Sequence, residues 1–290
     1  MTVNKLKFLY IIPGILAGIF VFQLIHAQAQ YHKEVPLSGE ESVTVRLESV
    51  YGTVNIGAGA NTKLLIADMV VKPDVDMKTD IDYRIDNRTG LLNLILGPAD
   101  RQQRSWGFGS KDAGTWDLKF NKDVPLLFDI ELGAGRGTFD FTGMHVDKMN
   151  LSAGASNVTV RFDQPNKGFI DVMHIESGVS RFTGEQLGNA NFGTLKFEGG
   201  VGSYTLDFNG DLRHEANVEV ELGIGAVTLV IPEHIGVKLY AAQRLFSSVS
   251  VPNDFERVNR DEYISPNYDS VEGRLVIKIE SGLGSVRVRR

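Results

Sequence analysis

Glu221-Leu222-Gly223-Ile224-Gly225-Ala226-Val227-Thr228-Leu229-Val230-Ile231-Pro232 carries the pattern that decides the fold. A glutamate precedes a Gly-x-Gly pair, and hydrophobic residues then alternate as Val227, Leu229 and Ile231. Alternation with a period of two puts one face of a strand into a core. The glycines permit a positive φ or the close approach of a neighbouring strand. The unit recurs outward from this stretch. Residues 198–208 match it without a gap, and Glu176-Ser177-Gly178-Val179-Ser180-Arg181-Phe182-Thr183 matches over eight positions. Glu131-Leu132-Gly133-Ala134-Gly135 opens another copy, continued by Thr138-Phe139-Asp140-Phe141. Residues 151–162 fit the same frame, with Ser152 in the glutamate place and Gly154 in the glycine place. The sequence ends on Glu280-Ser281-Gly282-Leu283-Gly284-Ser285-Val286-Arg287-Val288. Worn copies lie at residues 48–56 and 245–251.

The anchors at 133, 154, 178, 200, 223 and 245 are separated by 21, 24, 22, 23 and 22 residues. A period near 22 fits a β-solenoid rung or a two-strand hairpin repeat. Second strands are expected between anchors, at Gly168-Phe169-Ile170-Asp171-Val172 and Val237-Lys238-Leu239-Tyr240. No stretch after residue 30 has a helical period. The expected fold is all-β, a right-handed β-helix-like solenoid of stacked short strands. The expected organisation is a signal peptide or membrane anchor over residues 1–29, then an N-terminal β region over 31–100. A loop over 101–115 and a solenoid over 116–290 follow. The N-terminal β region continues the same stack if residues 48–56 are a rung.

Composition narrows the functional classes. Of 290 residues, 42% are hydrophobic and 23% charged, which is ordinary for a globular core. The formal net charge of -6 disfavours nucleic acid, whose binding is driven by cationic side chains. With no cysteine, disulfides, thiolate metal sites, cysteine nucleophiles and a lipidated cysteine are excluded. Lys5 and Lys7 precede an apolar run over residues 8–25, and Ala27-Gln28-Ala29 is a small-x-small cleavage pattern. Cleavage after Ala29 is the expected outcome, and an uncleaved segment would anchor the chain through residues 8–25. Both place the rest outside the cytoplasm, in the periplasm, at the cell surface or secreted.

The motifs that touch on chemistry are better explained by structure. Gly133, Gly135 and Gly137 precede strand-like Thr138-Phe139-Asp140-Phe141, whereas a dinucleotide loop must open a helix. The recurrent glutamates form a ladder whose expected role is a solvated edge that discourages aggregation. His26, His32, His145, His174, His214 and His234 form no His-Glu-x-x-His pair. Asp74, Asp76, Asp80, Asp82 and Asp86 offer calcium oxygens but alternate like an exposed strand face, without a calcium-loop pattern. Trp106 and Trp116 are expected to cover the open end of the stack, and residues 252–270 to form an exposed loop. Asp140 and Asp207 occupy repeat-equivalent places, explained by repetition without glycosidase chemistry. No catalytic, cofactor-binding or metal residue is assigned, and no cofactor is expected.

The sequence resembles the toast-rack domain of bacterial envelope proteins, found in LiaF-like cell-wall-stress proteins and adhesin-like relatives. The resemblance is carried by Trp116, Val124-Pro125-Leu126-Leu127-Phe128-Asp129-Ile130-Glu131-Leu132-Gly133-Ala134-Gly135, Phe139-Asp140-Phe141-Thr142-Gly143-Met144 and Asn150-Leu151-Ser152-Ala153-Gly154-Ala155. It covers roughly residues 115–290, and more loosely 40–100. It implies a stack of short strands outside the cytoplasm and supplies no catalytic residue. LiaF-like proteins carry several membrane segments before this domain and restrain a stress-sensing kinase. This sequence shows one N-terminal apolar segment in their place. The expected function is an exported non-enzymatic envelope scaffold or interaction module, with an envelope protein or glycan as partner. Two alternatives are an exported carbohydrate-active enzyme on a β-helix and a membrane-anchored component of envelope-stress signalling.

Overall fold

The computed structural model describes residues 29–71, 77–98, 114–241 and 247–290. The N-terminal apolar run, Asp74, Asp76 and Trp106 lie outside these residues. Strands follow in chain order: β1 (Ala29–Pro36), β2 (Ser42–Ala58), β3 (Lys63–Val71), β4 (Met77–Asp86), β5 (Thr89–Pro98) and β6 (Gly114–Phe120). Then come β7 (Pro125–Asp140), β8 (His145–Arg161), β9 (Ile170–Glu185), β10 (Phe192–Asp207) and β11 (Glu215–Val230). The last are β12 (Gly236–Ala241), β13 (Ser247–Ser250), β14 (Glu256–Arg257), β15 (Glu262–Ile264) and β16 (Arg274–Arg289). The fold is all-β, and the described residues include short 3-10 turns at Leu187–Asn189 and Tyr268–Ser270.

Each repeat is one long strand bent at its glycines, rather than two strands. Ile170–Val172, expected as a separate strand, is simply the start of β9. In β7 the buried residues are Leu126, Phe128, Ile130 and Leu132, then Gly137 and Phe139. The alternation changes phase across Gly133–Arg136, so both arms turn their apolar side chains inward. Phe197 on the first arm of β10 meets Tyr204 on its second arm, ring centroids 5.2 Å apart. Phe120, Phe128, Phe141 and Phe162 form a continuous chain of ring contacts at 5.0–5.5 Å through successive rungs. Such pairs add about 0.5–1.5 kcal/mol each beyond burial.

The rungs stack in parallel in the order β2, β7, β8, β9, β10, β11, β16. Close stacking at the bend explains the glycines. A Cβ on Gly154, Gly200, Gly223 or Gly282 would sit 2.6–2.7 Å from the carbonyl oxygen of the glycine one rung before. The return turns are held by buried asparagine. Asn166 donates to the carbonyls of Val146 (2.7 Å) and Ala190 (3.1 Å) and accepts from the Val146 N–H (2.9 Å). It thereby ties adjacent turns together with its own polar atoms satisfied.

Both ends of the stack are closed by divided rungs. At the N-terminal end, β5 pairs with the first arm of β2 and β6 with the second. Antiparallel β4 covers β5, while β3 and then β1 extend from β6. Trp116 on β6 is fully buried and lies against Gly52. At the other end β12 pairs with the first arm of β16 and β13 with its second. Strand β16 therefore lies inside the stack, not at its edge. Residues 252–270 also differ from the expected exposed loop. They contain β14 and β15, pair through β15 with β12, and bury Phe255, Tyr263 and Tyr268.

A buried acid ties the N-terminal cap together. Glu40, in the β1–β2 connection, accepts a very short hydrogen bond from the Tyr83 hydroxyl and another from the Ser38 N–H at 2.8 Å. Burial works against the Glu40 carboxylate, but these bonds and the nearby N–H groups outweigh it and hold its pKa below the ordinary value. Burial, then the Glu40 hydrogen bond, pushes the Tyr83 hydroxyl well up. A depressed acid pKa adds stability above the unfolded-state value, lost as pH falls through the folded-state one. Tyr83→Phe is therefore expected to cost about 1.5–3 kcal/mol at neutral pH. That difference should shrink as the pH falls through the Glu40 pKa, as measured by urea unfolding across a pH series. A deficit independent of pH would show that the hydroxyl acts elsewhere.

Candidate functional site

The first arm of each rung has an outer face, because its alternate residues fill the core. On β7 these outward residues include Asp129 and Glu131, between buried Phe128, Ile130 and Leu132. Register then aligns them across rungs. Glu48 faces Glu131, which faces Ser152; next come Glu176, Glu198, Glu221 and Glu280. At the other side Ile95 faces Glu48 and Asp80 faces Ile95, which brings β4 into the same row. The expected edge guard is thus a row across the middle of the sheet. Adjacent strands lie about 4.8 Å apart, and like charges directly opposite destabilise a sheet.

Two positions earlier runs a mixed row of Arg46, Asp129, Asn150, His174, Lys196, Glu219 and Lys278. It offsets part of the repulsion: His174 Nε2 lies 3.2 Å from Glu198 Oε1 and 3.6 Å from Glu176 Oε1. Lys196 Nζ lies 3.7 Å from Glu219. An open groove of about 640 Å³ follows the acidic row, lined by Ser152, Glu176, Glu198, Glu221 and Glu280 and by the glycine bends. A second groove of about 360 Å³ is lined by Arg46, Glu48, Asp80, Asp82, Asp129 and Glu131, among others. Beyond the glycines, Val179, Val201, Ile224 and Leu283 form an exposed apolar row. Among the described residues, no aromatic side chain lines either groove.

The sequence of this chain matches the N-terminal domain of toast_rack, DUF2154, over residues 25–185. The chain belongs to that family. No curated protein sequence matches it. Among solved structures, a candidate cell adhesion protein from Clostridium sporogenes is 19% identical, with 90% of this chain and 99% of that chain covered and a TM-score of 0.44. A candidate adhesin from Bacteroides fragilis is 8% identical, covering 91% and 99%, with a TM-score of 0.35. One from Parabacteroides merdae is 11% identical, covering 90% and 96%, with a TM-score of 0.34. Among the described residues of this toast-rack protein, no helix is long and apolar enough to cross a membrane.

The other candidate residues have local roles in the toast-rack stack. His32 bonds to Asp68 at 2.7 Å and His145 lies 3.0 Å from Asp147. His214 and His234 donate to the carbonyls of Phe192 (2.8 Å) and Gly210 (3.0 Å). Asp140 accepts from the Thr142 N–H at 3.0 Å, and Asp207 from the Asn209 N–H at 2.8 Å. Rungs β8 and β9 separate these two acids, which sets them about 14 Å apart along the stack. A glycosidase pair stands at roughly 5–9.5 Å. Strand β7 continues through the Gly133–Gly137 motif to Asp140, with no helix for a nucleotide. The pairing of His174 with Glu176 has a local signal in the sequence His174-Ile175-Glu176. In a strand, that i, i+2 spacing already places the imidazole and carboxylate on one face.

Proposed function

We propose that this toast-rack protein is a non-enzymatic interaction module of the bacterial envelope, and that its acidic row docks a cationic partner. The row itself supports this most. Six glutamates and Ser152 stand in register: Ser152, Glu176, Glu198, Glu221 and Glu280 line one open groove across several rungs, and Glu48 and Glu131 line the second. The arrangement costs stability by like-charge repulsion, which a lysine- or arginine-rich segment relieves on binding. The negative charge of the row is complementary to a lysine- or arginine-rich protein segment, which favours that partner. Export by residues 1–29 delivers the domain outside the cytoplasm in this proposal. Residues 31–100 and 116–290 act together, joined where β2 stacks on β7.

A labelled oligolysine peptide tests the docking face by fluorescence anisotropy with the folded protein. Binding is expected at low salt and lost near 1 M, where the screening length is about 3 Å. The double variant Glu131→Gln, Glu221→Gln is expected to weaken binding roughly two- to tenfold. Equal affinity for wild type and variant would move the site elsewhere.

A further inference from the structure

We propose that His174, Glu176 and Glu198 form a binding site for a divalent transition-metal ion, best matched by Zn2+. One ligand atom from each residue lies within 4.8 Å of the other two. The His174 Nε2 distances to the carboxylates, 3.2 and 3.6 Å, bracket the spacing of tetrahedral zinc donors. Bonds of 2.0–2.1 Å place such donors about 3.3 Å apart. Imidazole nitrogen favours zinc and its neighbours over calcium, which prefers an all-oxygen shell.

The backbone organises the three donors. His174 and Glu176 are alternate residues on one face of β9, and Glu198 is the in-register partner of Glu176 on β10. These rungs lie in the interior of the stack, with β8 and β11 on either side. The Ser152 hydroxyl donates to Glu176 Oε2 at 3.3 Å, an outer contact that helps orient the carboxylate. Lys196, the in-register neighbour of His174, extends toward Glu219 and forms an ion pair there. Glu176 and Glu198 line the open groove, so a zinc ion held here would have its fourth position available to water or to a donor from a partner. The ion would also neutralise two adjacent glutamates whose repulsion the sheet otherwise bears. The site does not depend on the docking of a basic segment.

Calorimetric titration of the untagged mature protein with ZnCl2, and separately with CaCl2, tests the site. The expected result is one saturable zinc site per chain and much weaker calcium binding. His174→Ala and Glu198→Gln, both on the exposed face, are each expected to weaken zinc binding about tenfold or more. Glu221→Gln, one rung away, should leave zinc affinity unchanged while still weakening oligolysine. The proposal is overturned if wild type shows no saturable zinc binding, or if both His174→Ala and Glu198→Gln, folded by circular dichroism, bind zinc as wild type does.

Discussion

Gly225→Ala is expected to destabilise the protein by about 2–6 kcal/mol, a large fraction of a domain's total stability. Gly225 has φ +147°, and its added Cβ would fall on the Gly202 carbonyl oxygen one rung below. The next rung repeats the contact: a Cβ on Gly284 would strike the Gly225 carbonyl. Neither backbone can retreat, since β11 is paired in register on both sides. The cost therefore combines backbone strain with overlap. Ser156 and Ser180 occupy the same column, and neither has a positive φ, so side chains are accommodated where the local bend differs. Val201→Ala, in the adjacent exposed row, is the matched control and should stay within about 0.5 kcal/mol. Urea midpoints compare the two. A Gly225→Ala protein within 1 kcal/mol of wild type, roughly the uncertainty of such a series, would mean that the bends do not touch.

Deleting residues 274–290 is expected to release much more chain than it removes. Strand β16 lies between β11 on one side and β12 and β13 on the other. It buries Leu275, Ile277, Ile279, Val286 and Val288. Strands β14 and β15 reach the stack through β12. Loss of β16 should therefore leave residues 236–270 unprotected in amide exchange and bare the β11 edge to intermolecular pairing. A milder version is Ile277→Ala, at a fully buried position, expected to cost about 2–5 kcal/mol. Its exchange map should show β12 and β15 opening before β8 and β9, because stacked repeats lose stability locally. Protection over 236–264 that survives the deletion would contradict the placement of β16.

Much of the rung was legible from its residues. The change of phase between Leu132 and Phe139 is written in β7, as is the glycine pair that makes the bend. The glutamate two positions before each anchor glycine necessarily faces away from the core once Leu132 or Leu222 is inside. His174 was legible as the outward neighbour of Glu176. What could not be read was the company these residues keep. Residues 252–270 look like a polar loop because their buried aromatics, Phe255, Tyr263 and Tyr268, are scattered without a strand period.

By itself the sequence determined the all-β class, the repeat near 22 residues and the direction in which each side chain of a repeat strand points, while the joining of two arms into one bent strand emerged only in the structure. The features legible in the sequence follow from local alternation and from glycine's freedom, which act within one rung. The tertiary structure alone decided which rung meets which. Backbone hydrogen bonds between parallel strands do not depend on side-chain identity, so one rung can in principle stack on any other. Chain order therefore did not disclose that β16 lies between β11 and β12, or that divided rungs close both ends. Nor did it disclose that Glu198 completes a cluster begun by His174 and Glu176. The acidic row exists because register, a non-local property, turns one glutamate per repeat into a continuous charged face.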